Sequence, residues 1–403
     1  MNKPVRLSQR AARVPASPIR ELMPLAQKAR SEGVKVYHLN IGQPDIETPA
    51  SMRGMLSQIP DKTYAYTPSE GTEQVLAVLR TYYESIGVNL EKGQIITTTG
   101  GSEALLFAFM AIGDPGAEII TPEPLYTNYR GFAAMGGLSI VPVTAVAETG
   151  FHLPPAEEFE KVITPQTVAI LLCNPNNPTG AVYSVEELRM VGEICTRHGL
   201  YMVVDEVYRE FSYDGRTAVS ALSLEELSDR VIVVDSMSKR YSACGIRLGA
   251  LVSRNKDIMA ACTRMAQARL SPPGLAQMVA LGIHDLAPTY TSDMQAEYQA
   301  RRDLLFQELT RIPGVFLRKP EGAFYLVVRL PVDDARTFAR YLLEEFREGG
   351  ETVMIAPAEG FYATPGLGKN EARLAYVLEQ PALKRSVELL ALALQRYRQS
   401  PRA

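Results

Sequence analysis

The segment Asp235-Ser236-Met237-Ser238-Lys239-Arg240-Tyr241-Ser242-Ala243-Cys244-Gly245-Ile246-Arg247-Leu248-Gly249 follows an apolar run and gathers serine, lysine, glycine and arginine into one turn-rich stretch. A lysine beside a core is costly to keep charged unless something uses it. An amine held near a phosphate and a carbonyl can form an imine, the nucleophilic chemistry of lysine. Taken alone, the segment is read more simply as a solvated loop whose lysine does no chemistry.

Three further segments change that balance. Asn174-Pro175-Asn176-Asn177-Pro178-Thr179-Gly180 follows an apolar run ending at Cys173. Its X-Pro bonds and final glycine enforce a rigid irregular turn at the end of a strand, where open α/β sheets place ligands. Asp205-Glu206-Val207-Tyr208 closes a second apolar run, and a carboxylate there can ion-pair with a heterocyclic nitrogen. The plainer alternative for Asp205 is a helix N-cap. Thr97-Thr98-Thr99-Gly100-Gly101-Ser102-Glu103-Ala104-Leu105 leads through two glycines and a serine into a helical pattern, so its free N–H groups and the Ser102 hydroxyl form a phosphate cradle. It is not G-x-G-x-x-G, and a dinucleotide fold loses its main support.

These segments must be held by a sheet. Between about residues 92 and 255, short Val/Ile/Leu runs alternate with helical patterns, the signature of repeated βαβ units. The predicted strands are 94–99, 118–121, 139–143, 168–173, 201–204, 231–235 and 249–252, with helices over 102–112 and 184–198. Several runs lack polar alternation, as strands buried on both faces do. After Ser271-Pro272-Pro273-Gly274 long helical patterns take over, with a strand pair expected at 314–318 and 323–329. The Pro/Gly-rich stretch 356–368 is expected to be a functional loop.

Together the four segments resemble the fold-type I pyridoxal-phosphate enzymes, specifically the class I/II aminotransferase family that includes aspartate aminotransferases. That family's lysine motif has a serine three residues before the lysine and an arginine eight after it, as Ser236, Lys239 and Arg247 do. Its Asn-Pro-x-Gly turn matches Asn177 to Gly180, and its Asp-x-x-Tyr matches Asp205 to Tyr208. The likeness runs from Leu39-Asn40-Ile41-Gly42-Gln43-Pro44-Asp45 to Gly368-Lys369-Asn370-Glu371-Ala372-Arg373-Leu374-Ala375-Tyr376, nearly the whole chain.

The resemblance implies an α/β fold: a large domain over 46–285 with a mainly parallel seven-stranded sheet, and a small α+β domain from 290–403 joined by the N-terminal arm 1–45. It implies pyridoxal 5′-phosphate as cofactor, held by Lys239 as a Schiff base, with Lys239 also shuttling a proton between the substrate α-carbon and the cofactor's C4′. Asp205 would keep the pyridine nitrogen protonated, while Asn177 and Tyr208 would hold O3′. Ser236, Arg247, Gly101 and Ser102 would anchor the phosphate, and Tyr126 would stack on the ring. Tyr66, in Tyr64-Ala65-Tyr66-Thr67-Pro68, falls where the family reaches the neighbouring subunit's phosphate, which implies a homodimer. Arg373, with the Gly42 backbone and Asn177, would grip the substrate α-carboxylate.

The implied activity is transfer of an amino group from an L-amino acid to a 2-oxo acid. No cation in the helix after Ser102 offers itself to a second carboxylate; Arg20, in Ser17-Pro18-Ile19-Arg20, is the candidate, and aspartate or glutamate is the favoured donor over aromatic or broad-range ones. The same cofactor carbanion serves β-lyases, decarboxylases and synthases, and a catalytically silent cofactor-binding regulatory module is the reading from another class.

Bulk properties agree with an enzyme in the cytoplasm. Hydrophobic residues make up 46%, charged residues 22%, and the net charge is -3, so neither nucleic acid nor an anionic membrane is called for. Apolar stretches such as 105–112 fall far short of the roughly 20 residues that cross a bilayer. Cys173, Cys195, Cys244 and Cys262 have no C-x-x-C spacing, so neither a disulfide framework nor a zinc site is expected. The first twenty residues hold four arginines, one lysine and no acid; a structural arm is preferred there to a transit peptide. His38, His152, His198 and His284 match no cofactor position and are read as structural or surface residues.

Overall fold

The computed structural model describes residues 5–18, 20–58 and 62–399. The arm positions 1–4 and Ile19, and the C-terminal residues 400–403, lie outside the described residues.

In chain order the strands are Lys35–His38 (β1), Ile95–Thr98 (β2), Glu118–Glu123 (β3), Ser139–Thr144 (β4), Thr167–Cys173 (β5), Tyr201–Asp205 (β6), Val231–Ser236 (β7), Gly249–Ser253 (β8), Tyr325–Arg329 (β9), Glu351–Met354 (β10), Ala356–Pro357 (β11) and Glu371–Ala375 (β12). Seven of them form one sheet in the order β2-β8-β7-β6-β5-β3-β4. Only β8 runs against its neighbours, and the ladder from β7 to β4 is parallel. All seven predicted strands are therefore present, each within two residues of its predicted ends.

Why these runs carry no polar alternation is visible in β6. Val203 enters a core on one face of the sheet, while Met202 and Val204 enter a second core on the other. Side chains point alternately to opposite faces, so a strand covered on both sides must be apolar throughout. Each such valine or isoleucine contributes on the order of 1.5–3 kcal/mol through burial. Between strands, the Val185–His198 helix starts at a capping box: Ser184 Oγ accepts from the Glu187 N–H at 3.2 Å and the Glu187 carboxylate accepts from the Ser184 N–H at 2.8 Å.

Beyond the large sheet, β1 pairs in parallel with β10, and β11, β12 and β9 form a three-stranded antiparallel sheet. The expected hairpin between 314–318 and 323–329 is not formed. Phe316 makes a single bridge to Arg329, and the ladder partner of β9 is β12, from Glu371↔Arg329 to Ala375↔Tyr325. Pro313 and Pro320 bracket the failed strand, and proline cannot donate to a ladder. The stretch 356–368 is also more ordered than a loop: it begins with β11 and a turn of 3-10 helix at Ala358–Phe361.

Candidate active site

The carboxyl ends of β5, β6 and β7 meet the start of the Gly100–Ile112 helix at a cavity of about 730 Å³. Open parallel sheets place ligands at that edge. Gly42, Gly101, Ser102, Tyr126, Asn177, Asp205, Tyr208, Ser236, Lys239, Arg247 and Arg373 all line it, although they come from segments more than 300 residues apart.

Lys239 sits in the short helix Met237–Arg240 that follows β7, capped by Ser236, whose Oγ accepts from the Ser238 N–H at 3.2 Å. Its Nζ donates to the Gly42 carbonyl at 2.9 Å and lies 3.9 Å from the Cys244 sulfur. Beneath it, the buried Asp235 carboxylate accepts from Arg240 at 2.7 Å and lies 3.6 Å from Arg209. Burial pushes the Asp235 carboxyl up, but the two guanidinium groups more than offset that and hold it below its usual value. A fixed ion cluster thus braces the turn that carries the lysine. Gly42 is required by packing: a Cβ there would stand 1.6 Å from the Tyr325 hydroxyl oxygen.

Asp205 ends β6 and is buried. Its carboxylate accepts from the Tyr129 hydroxyl at 2.8 Å and from the Val207 N–H at 3.3 Å. Burial raises its pKa to about 6, with Tyr129 and Val207 offsetting only part of the effect. The N-cap alternative for Asp205 is not realised, since no helix follows; its charge faces the cavity instead. Asn177 donates from its amide to the Tyr208 hydroxyl at 3.3 Å, and Tyr208 and Tyr325 share a hydrogen bond of 3.1 Å.

At the helix start Gly100 adopts φ +69°, and a Cβ there would come within 2.5 Å of the Arg247 guanidinium. Glycine therefore lets the guanidinium reach the first N–H groups of the helix, beside Gly101 and Ser102. Arg373, on β12, is 2% exposed, which removes the reading as a surface arginine. It donates from Nη2 to the Asn40 carbonyl at 2.6 Å and from Nη1 to the Asn177 side-chain oxygen at 3.2 Å, with the Tyr325 and Phe361 rings 4.5 and 4.9 Å away. Its Nε and the Asn40 side-chain nitrogen are buried without a partner among the described residues.

Tyr66 is not brought to the cavity: it is 79% exposed on the surface of the chain. The histidines also stay outside; His152 lies between Glu187 and Glu321 at 3.0 and 3.3 Å. Tyr129, Tyr325 and Asn40 were missed as site residues. Asn40 lies within the quoted segment Leu39 to Asp45 and Tyr129 three residues after Tyr126, whereas Tyr325 has only its place in an apolar strand and no local signal. Among the described residues no cluster suits a metal ion.

The donor set fits a flat dianionic heterocycle and an amino acid. Arg247 and the helix N–H groups suit a phosphate. Asp205 suits a protonated ring nitrogen, which would supply the opposite charge that its burial lacks. Lys239 offers an amine, and the free Nε of Arg373 points to a further acceptor such as a carboxylate. Comparison with known proteins agrees. The model of the family "Aminotransferase class I and II" matches residues 34–376. The chain is 30% identical to an aspartate aminotransferase of Geobacillus stearothermophilus over 95% of this chain and 98% of that protein. It is 31% identical to a probable aspartate/prephenate aminotransferase of Thermus aquaticus, over 96% and 99%. Solved structures of an aspartate aminotransferase from Thermotoga maritima and an alanine aminotransferase from Pyrococcus furiosus superpose with TM-scores of 0.87 and 0.88, each at 28% identity, covering 96% and 97% of this chain and 100% of theirs.

Proposed function

This chain belongs to the class I and II aminotransferases, enzymes that use pyridoxal phosphate, and from that premise we propose that it moves the amino group of an L-amino acid, aspartate or glutamate foremost, to a 2-oxo acid with Lys239 as the cofactor-bearing amine. The observation that carries the assignment of roles is the convergence of Lys239, Asp205, Asn177, Tyr208, Arg247 and Arg373 on one cavity.

Bound pyridoxal phosphate supplies an electron-poor ring that accepts the electrons left when the substrate α-proton departs. Lys239 would take that proton from the substrate α-carbon and return it at the cofactor's C4′, as general base and then general acid. Asp205 would hold the positive ring nitrogen, with Tyr129 orienting its carboxylate. Asn177 and Tyr208 would hold O3′, Tyr126 would cover the ring, and Ser236, Arg247, Gly101 and Ser102 would hold the phosphate. Arg373 binds the α-carboxylate as a planar fork, with Asn177 and the Gly42 backbone beside it.

The active form is a homodimer in this reading. Support comes from a group of exposed apolar residues, Leu56, Tyr64, Tyr66, Leu270 and Leu275, 44% to 79% exposed. Two of the segments that carry them are tied together by Ser69 donating to the Leu270 carbonyl at 2.6 Å. Tyr66 would act across that interface. The cofactor domain spans 46–285, and the arm 1–45 with 290–403 forms the smaller unit. A cytoplasmic location accords with the absence, among the described residues, of any helix long and apolar enough to cross a membrane.

The test is the near-ultraviolet and visible spectrum of the holoenzyme titrated with single amino acids and no acceptor. Stoichiometric conversion to the aminated cofactor, with release of the matching 2-oxo acid, is expected. Release of ammonia or carbon dioxide instead would replace transamination with elimination or decarboxylation.

A further inference from the structure

The Gly100–Ile112 helix carries an acid where an anion is to bind. Glu103 lies in its first turn, one residue beyond Ser102. A carboxylate there is ordinarily stabilising, because it faces the positive end of the helix. In the reading proposed above the same helix end holds a phosphate dianion, so Glu103 competes with the ligand for that positive end.

The geometry gives the acid a task and a cover. Its carboxylate accepts from the Thr99 N–H at 2.8 Å, which fixes the turn between β2 and the helix. The N–H groups of Gly101 and Ser102, in the first turn, have no partner within the helix and are left for a ligand. The same carboxylate accepts from Arg269 Nη1 at 2.7 Å, the two side chains being 17% and 15% exposed.

Arg269 is the last residue of the Lys256–Arg269 helix, and the phosphate reading does not use it. Its Nη2 donates to the Ser69 carbonyl at 2.8 Å and to the Thr97 carbonyl in β2 at 3.3 Å. Thr97 in turn donates from its N–H and its hydroxyl to the Glu70 carbonyl, both at 2.9 Å. The guanidinium is therefore held in place by the strand that leads into the cradle and by the segment packed on that strand. Neither Glu103 nor Arg269 lines the cavity.

We propose that Glu103 and Arg269 are positioning residues for the cofactor's phosphate: the carboxylate sets the backbone of the cradle, and the guanidinium cancels its charge so that the helix start accepts a dianion. Uncovered, a carboxylate beside that helix start would repel the phosphate. This inference rests on the phosphate assignment above and adds two residues that lie behind the cavity wall.

The test is the affinity of the cofactor-free protein for pyridoxal phosphate against pyridoxal, which lacks the phosphate. Wild type is expected to prefer pyridoxal phosphate. Arg269→Met is expected to lower that preference about tenfold to thirtyfold, the size of a charge effect at a partly buried helix end, with pyridoxal affinity little changed. Adding Glu103→Gln, whose amide oxygen still accepts from Thr99, is expected to return the preference close to wild type. Glu103→Gln alone is expected to raise it about threefold or more, and that variant decides the matter if Arg269→Met does not fold. An unchanged preference in Arg269→Met, an equal loss for both ligands that Glu103→Gln does not relieve, or no rise in Glu103→Gln alone would make the pair a brace for the fold and overturn the proposal. A wild type that binds pyridoxal as tightly as pyridoxal phosphate removes the phosphate cradle itself, and with it the assignment on which this one rests.

Discussion

The Tyr129 hydroxyl donates to the Asp205 carboxylate at 2.8 Å, deep in the cavity, where burial lifts that carboxyl to about 6. The pair shows how the fold holds a costly charge in place by a hydrogen bond rather than by a cation, leaving the ion-pairing position for a ligand.

A folded-state value of about 6 against the ordinary 3.8 means the folded, cofactor-free protein binds more protons than the unfolded chain between those values. Stability from this group therefore falls as pH rises through that window, by about 3 kcal/mol in all at full ionisation. Asp205→Asn should raise the stability of the cofactor-free protein at pH 7.5 by about 1–3 kcal/mol while lowering transamination at least a hundredfold. In denaturant melts at pH 4 and 7.5, the stability gap between wild type and variant would be the same at both pH values if the carboxyl were ordinary.

His152, clamped by Glu187 and Glu321, has its pKa raised to about 10, mainly by those two carboxylates against the opposing effect of burial. Its folded value lies above the usual 6.5, so the stabilisation is complete below pH 6.5 and is lost as pH climbs toward 10. With the imidazole 34% exposed, solvent screening reduces the contribution at pH 7 to about 1 kcal/mol. The gap in melting stability between wild type and His152→Gln is expected to close on going from pH 7 to pH 10.5.

For Gly42 the expectation is steric. Gly42→Ala must displace the Tyr325 ring, whose hydroxyl bonds Tyr208, and with it the carbonyl that accepts from Lys239. A loss of a hundredfold or more in kcat/KM with a melting temperature within a few degrees of wild type is expected. A fully active variant would remove Gly42 from the site.

Lys239→Ala should abolish turnover yet leave a folded protein that binds pyridoxal phosphate without a covalent link. Dialysis would then remove the cofactor's absorbance from the variant but not from wild type. Retained transamination would refute the role given to Lys239.

Tyr66 tests the assembly. Sedimentation velocity is expected to give a dimer, and Tyr66→Phe to weaken cofactor affinity about tenfold although the residue is 79% exposed in the single chain. A monomer with full affinity would exclude a role across subunits.

Much of the fold was legible because strands buried on both faces leave continuous apolar runs, as β5, β6 and β7 do. The turns that end them were legible for a related reason: Asn-Pro, Gly-Gly and Ser-x-x-Lys are chemically unusual within short windows. The hairpin expected at 314–329 failed because β9 pairs with β12, over forty residues downstream, and no local period records a partner at that distance.

The sequence by itself determined which groups can do the chemistry, with Asp205 at the end of one apolar strand, Asn177 and Lys239 just beyond two others and Arg247 just before a fourth, because residue type and local period are properties of short segments. Only the tertiary structure decided that Arg373 is buried with an uncommitted Nε, that Tyr129 holds Asp205, that Tyr325 crowds Gly42, and that Arg20 stands free at the rim. Those relationships join residues up to 333 positions apart, and they exist only once packing has brought separate surfaces into contact.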